Sequence, residues 1–405
     1  MSSGRVIVFL SLLLGIQPIT TDLYLPALPA LTEGFGAAMS QAQLTLTALL
    51  LAFGVSQLFW GPLSDRFGRR PLLLIGLAAY VVAALASTMA PTMAALIACR
   101  AAQGAAMGAA VMCARALVRD LYAPLQGARM MSKGLTGLGV IACLSAPLGG
   151  LLSDISDISG FSNLSGWRMA LMAPAVFGIL CLGLVALRFE ETLAQRNPQA
   201  LQPAVLLRTW WRILRNPTFL AYSALATSSY GGLFTFLAAS SFVFIQVLGF
   251  SKTRYGLVMF SMSLVYIAGT VLCRRLLVRC GLRRAVALAA VLTVSGGTLM
   301  GLLAMAGVRS AWAIMLPFYL FMLGHGVHQP CSQSGAVGPF PQAAGAASAL
   351  NGFLMMLAAF AMGGWLGTHM DGTVFPLAYG MWFWSVLTAL SAWTLVQKYG
   401  EPGRN

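Results

Sequence analysis

Ten carboxylates are all the acid this 405-residue chain carries, and the apolar runs sort them by depth. Asp65, Asp120, Glu190, Glu191 and Glu401 fall on one set of polar connections, and Glu33, Asp154, Asp157 and Asp371 on the opposite set. Only Asp22 falls well inside an apolar stretch. A carboxylate in hydrocarbon costs about 3 kcal/mol on insertion scales, so its default role is to face a cavity or a partner and serve a proton or ligand. Its candidate partner is Arg100, the one base well inside such a stretch. At about 1.5 Å per residue, both fall in the external half of a roughly 30 Å slab, where they are expected to meet. Moving the two relative to each other would change the proton affinity of the carboxylate, which is a coupling device. The structural alternatives are a static ion pair and, for Asp22, a helix-end cap.

Further along, His325, His328, Gln329 and Ser332 recur at i, i+3, i+4 and i+7, one face of a helix. Imidazoles titrate near neutral pH, so this stripe is a candidate second proton or ligand site, against the alternative of a wetted contact between helices. Tyr24, Tyr230, Phe234 and Tyr319 are candidate linings of an apolar cavity, or simply packing. After Asp22, Pro26 and Pro29 either bend the first helix around a cavity or mark its exit loop.

The elements that must position these residues are membrane helices. The chain is 59% hydrophobic and 9% charged, with a mean hydropathy of +0.81. A soluble chain carries roughly 25% charge, so a soluble enzyme is excluded. Apolar stretches long enough to span hydrocarbon lie at about 5–30, 41–63, 71–90, 92–115, 130–153, 167–188, 217–246, 252–277, 283–305, 311–335, 343–369 and 374–397. The first resembles a signal peptide but lacks a small-residue cleavage site after its apolar run, and is expected to be a retained span. With both ends cytoplasmic, about 20 of the 25 Lys and Arg fall inside, Arg129 and Arg404 among them, and roughly 4 outside. This asymmetry explains a pI near 10.1 through anionic lipid, without nucleic acid.

A polar connection splits these spans six and six. The expected organisation is an N-terminal bundle over 1–190, a cytoplasmic linker over 191–216 and a C-terminal bundle over 217–405. The loop after span 2 reads RFGRR (Arg66 to Arg70) and the loop after span 8 reads RCGLR (Arg279 to Arg283), a weak sign of duplication. Parallel repeats of this kind place a substrate site at the midplane.

In the first of those loops, Gly61, Pro62, Leu63, Ser64, Asp65, Arg66, Phe67, Gly68, Arg69, Arg70 and Pro71 are spaced for gating. Gly61 permits close helix approach, Gly68 a sharp turn, and Asp65 among arginines a state-dependent charge cluster; positive-inside retention alone needs neither the acid nor the glycines. The run resembles the cytoplasmic motif of the major facilitator superfamily, G-x-L-x-D-R-x-G-R-[RK]-x. Leu96, Arg100, Gln103 and Gly104 resemble the span 4 motif of that family, in which the Arg is linked to proton transfer. Ser145 to Gly150 is a relaxed version of its antiporter motif, with Pro147 and Gly150 matching while Ala146 and Leu151 replace glycines. Thr21 to Pro29, with Arg115 to Asp120 closing span 4, looks like the Bcr/CflA branch of drug:proton antiporters. The resemblance implies an all-α fold of 12 membrane helices in two pseudo-symmetric six-helix bundles. It also implies alternating access, and proton-driven export of bicyclomycin- or chloramphenicol-like drugs.

No phosphate-binding loop occurs, so neither ATP nor another cofactor is expected, and the proton gradient is the expected energy source. Gly137, Gly139 and Ala142 match a dinucleotide pattern but follow no strand, so close helix packing is expected instead. The seven cysteines form no metal-ligand spacing. The expected partners are a small amphiphilic substrate, protons and the bilayer of a bacterial inner membrane, and the expected state is a monomer. The alternatives are proton-coupled uptake of a small metabolite on the same fold and, in a different class, a membrane-embedded enzyme or receptor, which would need more convergent polar groups than the spans supply.

Overall fold

The computed structural model describes residues 2–122, 124–159, 166–193, 196, 198 and 200–400. Of the charges sorted by side above, Glu401 and Arg404 lie outside the described residues, as do the side chains of Arg129 and Asp157 and residues 194–195, 197 and 199 of the expected linker. The described residues are mostly helical and contain no strand. Hydrocarbon offers the backbone no partner, so each crossing must satisfy its own N–H and C=O groups within a helix.

The helices are α1 (Ser3–Thr21), α2 (Leu28–Phe35), α3 (Met39–Phe67), α4 (Arg69–Thr88), α5 (Met93–Leu121), α6 (Pro124–Ser159) and α7 (Gly166–Arg188). They continue as α8 (Pro203–Leu214), α9 (Pro217–Phe242), α10 (Lys252–Met305), α11 (Ala311–Val337), α12 (Ala344–His369), α13 (Phe375–Leu390) and α14 (Val396–Tyr399). By length and composition, 10 helical stretches can cross a membrane, the longest being Lys252–Met305 with 54 residues. That one turns at Gly281 (φ 73°, ψ 175°), which divides it into two crossings. The run from α13 to α14, joined by a π turn at Ser391–Leu395, supplies the remaining one, which accommodates the expected twelve.

The two loops that suggested duplication bend at the same place. Gly68 (φ 107°) separates α3 from α4, and Gly281 (φ 73°) breaks α10, each within an arginine-rich segment. Both conformations lie in the region that glycine alone enters at no steric cost.

The chain clusters into two compact units, Met1–Leu206 with Ser251–Leu257, and Leu207–Phe250 with Val258–Asn405. In the first, α1 packs on α6 and α5 lies between α3 and α4. Gly134 of α6 sits against Leu10 and Gly137 against Ser11, while Gly15 of α1 sits against Ile141. Gly137 therefore serves close packing as expected, whereas Gly139 faces open space. In the second unit α9 is the hub, touching α11, α12 and α13. Phe236 of α9 stacks on Phe318 of α11 at 3.7 Å, and a Cβ on Gly269 of α10 would lie 3.1 Å from the Gly326 Cα of α11. Lipid tails are as apolar as leucine, so such dispersion contacts, made dense by small residues, hold membrane helices together.

Candidate functional site

Arg100 enters the first unit early in α5, whose N-terminus is capped by Thr92 accepting the Ala95 N–H at 3.2 Å. Its side chain is fully buried, at 0% exposure. Nη1 donates to Gln103 Oε1 at 2.8 Å, a partner one helical turn away. Nη2 donates to the Thr20 carbonyl at 2.9 Å. Thr20 lies in the last turn of α1, where carbonyls lack helical partners and a cation is favoured. The guanidinium also lies 4.4 Å from the centre of the Tyr24 ring, while Nε has no acceptor.

Hydroxyls extend this knot. Thr20 donates its single proton to the Ile16 carbonyl at 2.5 Å, so the Tyr80 hydroxyl, also at 2.5 Å, must donate to Thr20. Thr45 likewise donates to the Ala42 carbonyl at 2.6 Å, which makes Tyr24 the donor in the 2.8 Å bond between them.

Asp22 forms the C-terminal cap of α1, half-buried, with Thr21 Oγ1 at 2.7 Å from its Oδ1. No ion pair joins Asp22 to Arg100 among the described residues; each keeps its own neighbours, although they flank the same helix end. Thr21 Oγ1 has a second acceptor, the Gln17 carbonyl at 3.0 Å. The neighbouring backbone is packed tightly, since Gly149 of α6 abuts the Leu23 carbonyl and Gly150 abuts the Lys252 carbonyl. Pro147 lies inside α6, and a Cβ on Gly256 would come within 2.8 Å of Pro147 Cα.

A second cluster surrounds the turn at Gly68. Arg69, 1% exposed, donates through Nε to Asp120 Oδ2 at 2.9 Å and pairs through Nη2 with Asp65 Oδ1 at 2.7 Å; Nη1 also reaches the Ser64 hydroxyl. Arg119 reaches Asp65 at 3.3 Å. Glu191 accepts the backbone N–H groups of Arg69 and Arg70 at 3.0 and 3.1 Å, capping α4 from far along the chain, and those of Thr192 and Leu193 at 2.9 and 3.0 Å. Partial burial pushes the Glu191 carboxyl up, but these four donors outweigh it and hold the group below the usual carboxylate range. Arg70 reaches the Ala186 carbonyl at 3.0 Å and Arg66 lies over the Phe67 ring at 5.5 Å. A Cβ on Gly61 would meet only the flexible end of Met112 at 3.4 Å; the close approach of α3 and α5 is made by Gly104 against the Leu49 carbonyl and by Gly108 against Ser56.

The second unit holds its own polar core. His325 Nδ1 bonds the Ser229 hydroxyl of α9 at 2.8 Å, with its ring stacked on Phe321 at 6.0 Å and tilted toward Tyr266 at 5.7 Å. His328 Nε2 bonds Thr293 Oγ1 at 3.1 Å, leaving Nδ1 without a partner. Gln329 Nε2 donates to the Ala226 carbonyl at 3.4 Å, and Ser332 donates back to the Gln329 carbonyl at 3.1 Å. Tyr230 and Phe234 are buried along α9, one turn apart. The histidine stripe thus splits between two partners, α9 for His325 and the second half of α10 for His328.

Tyr80, Thr20, Thr45, Ser229, Thr293 and Glu191 were not among the expected site residues. Tyr80 stands as an isolated polar aromatic in an apolar run and Ser229 in the run Thr227 to Tyr230, which are local signals. Glu191 has none, because the helix start it caps, at Arg69 and Arg70, lies more than a hundred residues away.

The fold and this geometry define a polytopic membrane carrier with no enzyme-like convergence of reactive groups among the described residues. The family model of the Major Facilitator Superfamily matches residues 10–363, and the chain belongs to that superfamily of transporters. It is 26% identical over 393 residues to a bicyclomycin resistance protein homolog of Haemophilus influenzae, covering 97% of this chain and 96% of that one. It is 28% identical over 350 residues to multidrug resistance protein D of Escherichia coli (strain K12), covering 86% and 85%. The xylose transporter XylE from E. coli shares the fold with a TM-score of 0.76 over 98% of this chain and 97% of the other, at 15% identity.

Proposed function

We propose that this carrier exports amphiphilic, drug-like molecules of the bicyclomycin or chloramphenicol kind from a bacterial cell in exchange for protons, without a cofactor. The substrate class rests on the names of the relatives above; the likeness to the xylose transporter bears on the fold alone. At an assumed ~150 mV, one proton supplies about 3.4 kcal/mol, enough for a roughly 300-fold gradient of a neutral drug. Both termini are assigned to the cytoplasm by the distribution of Lys and Arg, and the working unit is a monomer.

The observation that carries the exchange is the position of Thr21 between Gln17 and Asp22. Its one hydroxyl proton has two acceptors, at 3.0 and 2.7 Å. When Asp22 is ionised, Thr21 donates to it; when Asp22 is protonated, the carboxyl donates to Thr21, which turns its own proton to the Gln17 carbonyl. Both protonation states are therefore hydrogen-bonded without rebuilding the helix end. Arg100, held by a carbonyl, an amide and a ring and by no carboxylate among the described residues, supplies a fixed positive field beside it. Each unit offers its own buried aromatic and amide groups as proposed substrate contacts, Tyr24 and Gln103 in the first and Tyr230, Phe234, His325 and Gln329 in the second, with the Gly68 cluster as the proposed cytoplasmic gate.

In inverted vesicles carrying a proton gradient, adding chloramphenicol or a lipophilic cation should collapse the gradient in wild type and leave it intact in Asp22→Asn. Substrate-independent collapse in both, or sugar-driven proton movement instead, would contradict the exchange.

A further inference from the structure

The segment between the two sets of spans contains α8, and three strips run along it and the turn residue Arg215 that follows, at 3.6 residues per turn. Leu206, Trp210 and Ile213 form the first, half-buried to buried against the protein. Leu207, Trp211 and Leu214 form the second, with Leu207 61% and Trp211 59% exposed. Arg208, Arg212 and Arg215 form the third, all exposed. The Arg215 guanidinium folds over the Trp211 ring at 4.3 Å, joining the second strip to the third.

An exposed leucine and an exposed tryptophan on a helix already packed along another strip are not explained by the fold. Their surroundings say what covers them. Only two residues separate Leu214 from Pro217, the first residue of the span α9, and Asn216 fixes that junction by accepting the Phe219 N–H at 3.0 Å. The end of α8 is therefore held where the span α9 begins, the cytoplasmic end of that span on the distribution of Lys and Arg. A helix at that depth with an apolar strip flanked by a cationic one buries the first among acyl chains and sets the second among phosphates.

We infer that α8 is an interfacial anchor that binds the anionic phospholipids of the inner leaflet, with Leu207, Trp211 and Leu214 inserted below the headgroups and Arg208, Arg212 and Arg215 paired with their phosphates. Arg215 over Trp211 holds cation and ring at the one level where both find partners. The three cations supply the preference for anionic over zwitterionic lipid, since each basic residue near such a surface gains from its negative potential.

The test is hydrogen–deuterium exchange of the full chain in nanodiscs of phosphatidylcholine, with and without about 30% phosphatidylglycerol. Exchange across 203–214 should slow about tenfold with phosphatidylglycerol, and that slowing should weaken in high salt. It should vanish in Arg208→Gln/Arg212→Gln/Arg215→Gln and persist in the corresponding triple Lys variant, with α9 unchanged throughout. Equal exchange in the two lipids would overturn the inference, as would protection by inorganic phosphate added to the protein in detergent. Protection that is equal in both lipids but lost in Trp211→Asp would reduce α8 to an apolar contact and overturn the anionic preference. Neither the arginines nor Trp211 belong to the transport site, so these outcomes are independent of the proposed exchange.

Discussion

The two units bury polar cores of opposite character. In the first, a full positive charge at Arg100 is enclosed with no carboxylate bonded to it among the described residues, while the carboxylate of Asp22 lies at the same helix end. In the second, the buried polar groups are imidazoles, hydroxyls and amides, and among the described residues no carboxylate contacts His325 or His328. A charge in a low-dielectric interior dominates its surroundings, whereas neutral groups act through short hydrogen bonds alone. On the proposed exchange, the first core responds to a proton and the second offers a polar lining.

The cytoplasmic cluster supplies a third arrangement, a buried arginine that is fully paired. Arg69 and Arg100 are both nearly inaccessible, yet among the described residues Arg69 engages two carboxylates and Arg100 none. Paired burial locks a structure, because removing one partner strands the other at about 3–5 kcal/mol. Burial beside a carboxylate that stays unpaired leaves the electrostatics free to change with the transport cycle.

The contrast is broken most severely at Arg100. Arg100→Leu should abolish pH-driven export in inverted vesicles, because the field beside Asp22 is gone, while His325→Leu should keep proton movement and weaken only substrate affinity. Loss of proton coupling in the histidine variant would reverse the assignment of the two cores. Next, Asp120→Ala should destabilise the cytoplasmic cluster by about 2 kcal/mol, since Asp120 is only 11% exposed and Arg69, 1% exposed, keeps Asp65 as its remaining carboxylate. Thermal unfolding in detergent should show this as a clear fall in Tm, and an unchanged Tm would make the cluster a surface network. Smaller still, Ser229→Ala removes one hydrogen bond to His325, and should raise KM several-fold, about 1 kcal/mol, without moving the pH profile.

The smallest effect belongs to Glu191. Its carboxyl is held below the usual range in the folded state, so its contribution is complete above the ordinary pKa of about 4.3 and is lost as pH falls through the lower, folded value. Glu191→Gln should therefore lower Tm slightly at pH 7 and by less in strong acid. An equal difference at both would place its role in packing rather than charge.

Much of this was legible in sequence because hydrocarbon is a strict solvent. Segment length, the glycine turn at Gly68, the isolation of Asp22 and the burial of Arg100 were readable there, the bend at Gly281 only as part of a repeated arginine-rich loop. What escaped is what depends on which helices touch. The Asp22 to Arg100 pair was expected from matched depth, but depth says nothing of azimuth, and the guanidinium found the Thr20 carbonyl instead. Gly61 was expected to carry close helix approach, yet Gly104 and Gly108 do so, because the contact face of α3 lies elsewhere on the wheel. The His325 to Gln329 stripe was visible as a face, but not its division between Ser229 and Thr293.

The most direct test of the central claim is proton release from the detergent-solubilised protein on adding chloramphenicol or lipophilic cations, in wild type and in Asp22→Asn. Release from wild type and none from the variant is the predicted result, since substrate and proton then compete at Asp22. No release from wild type despite confirmed binding of the compound would contradict it.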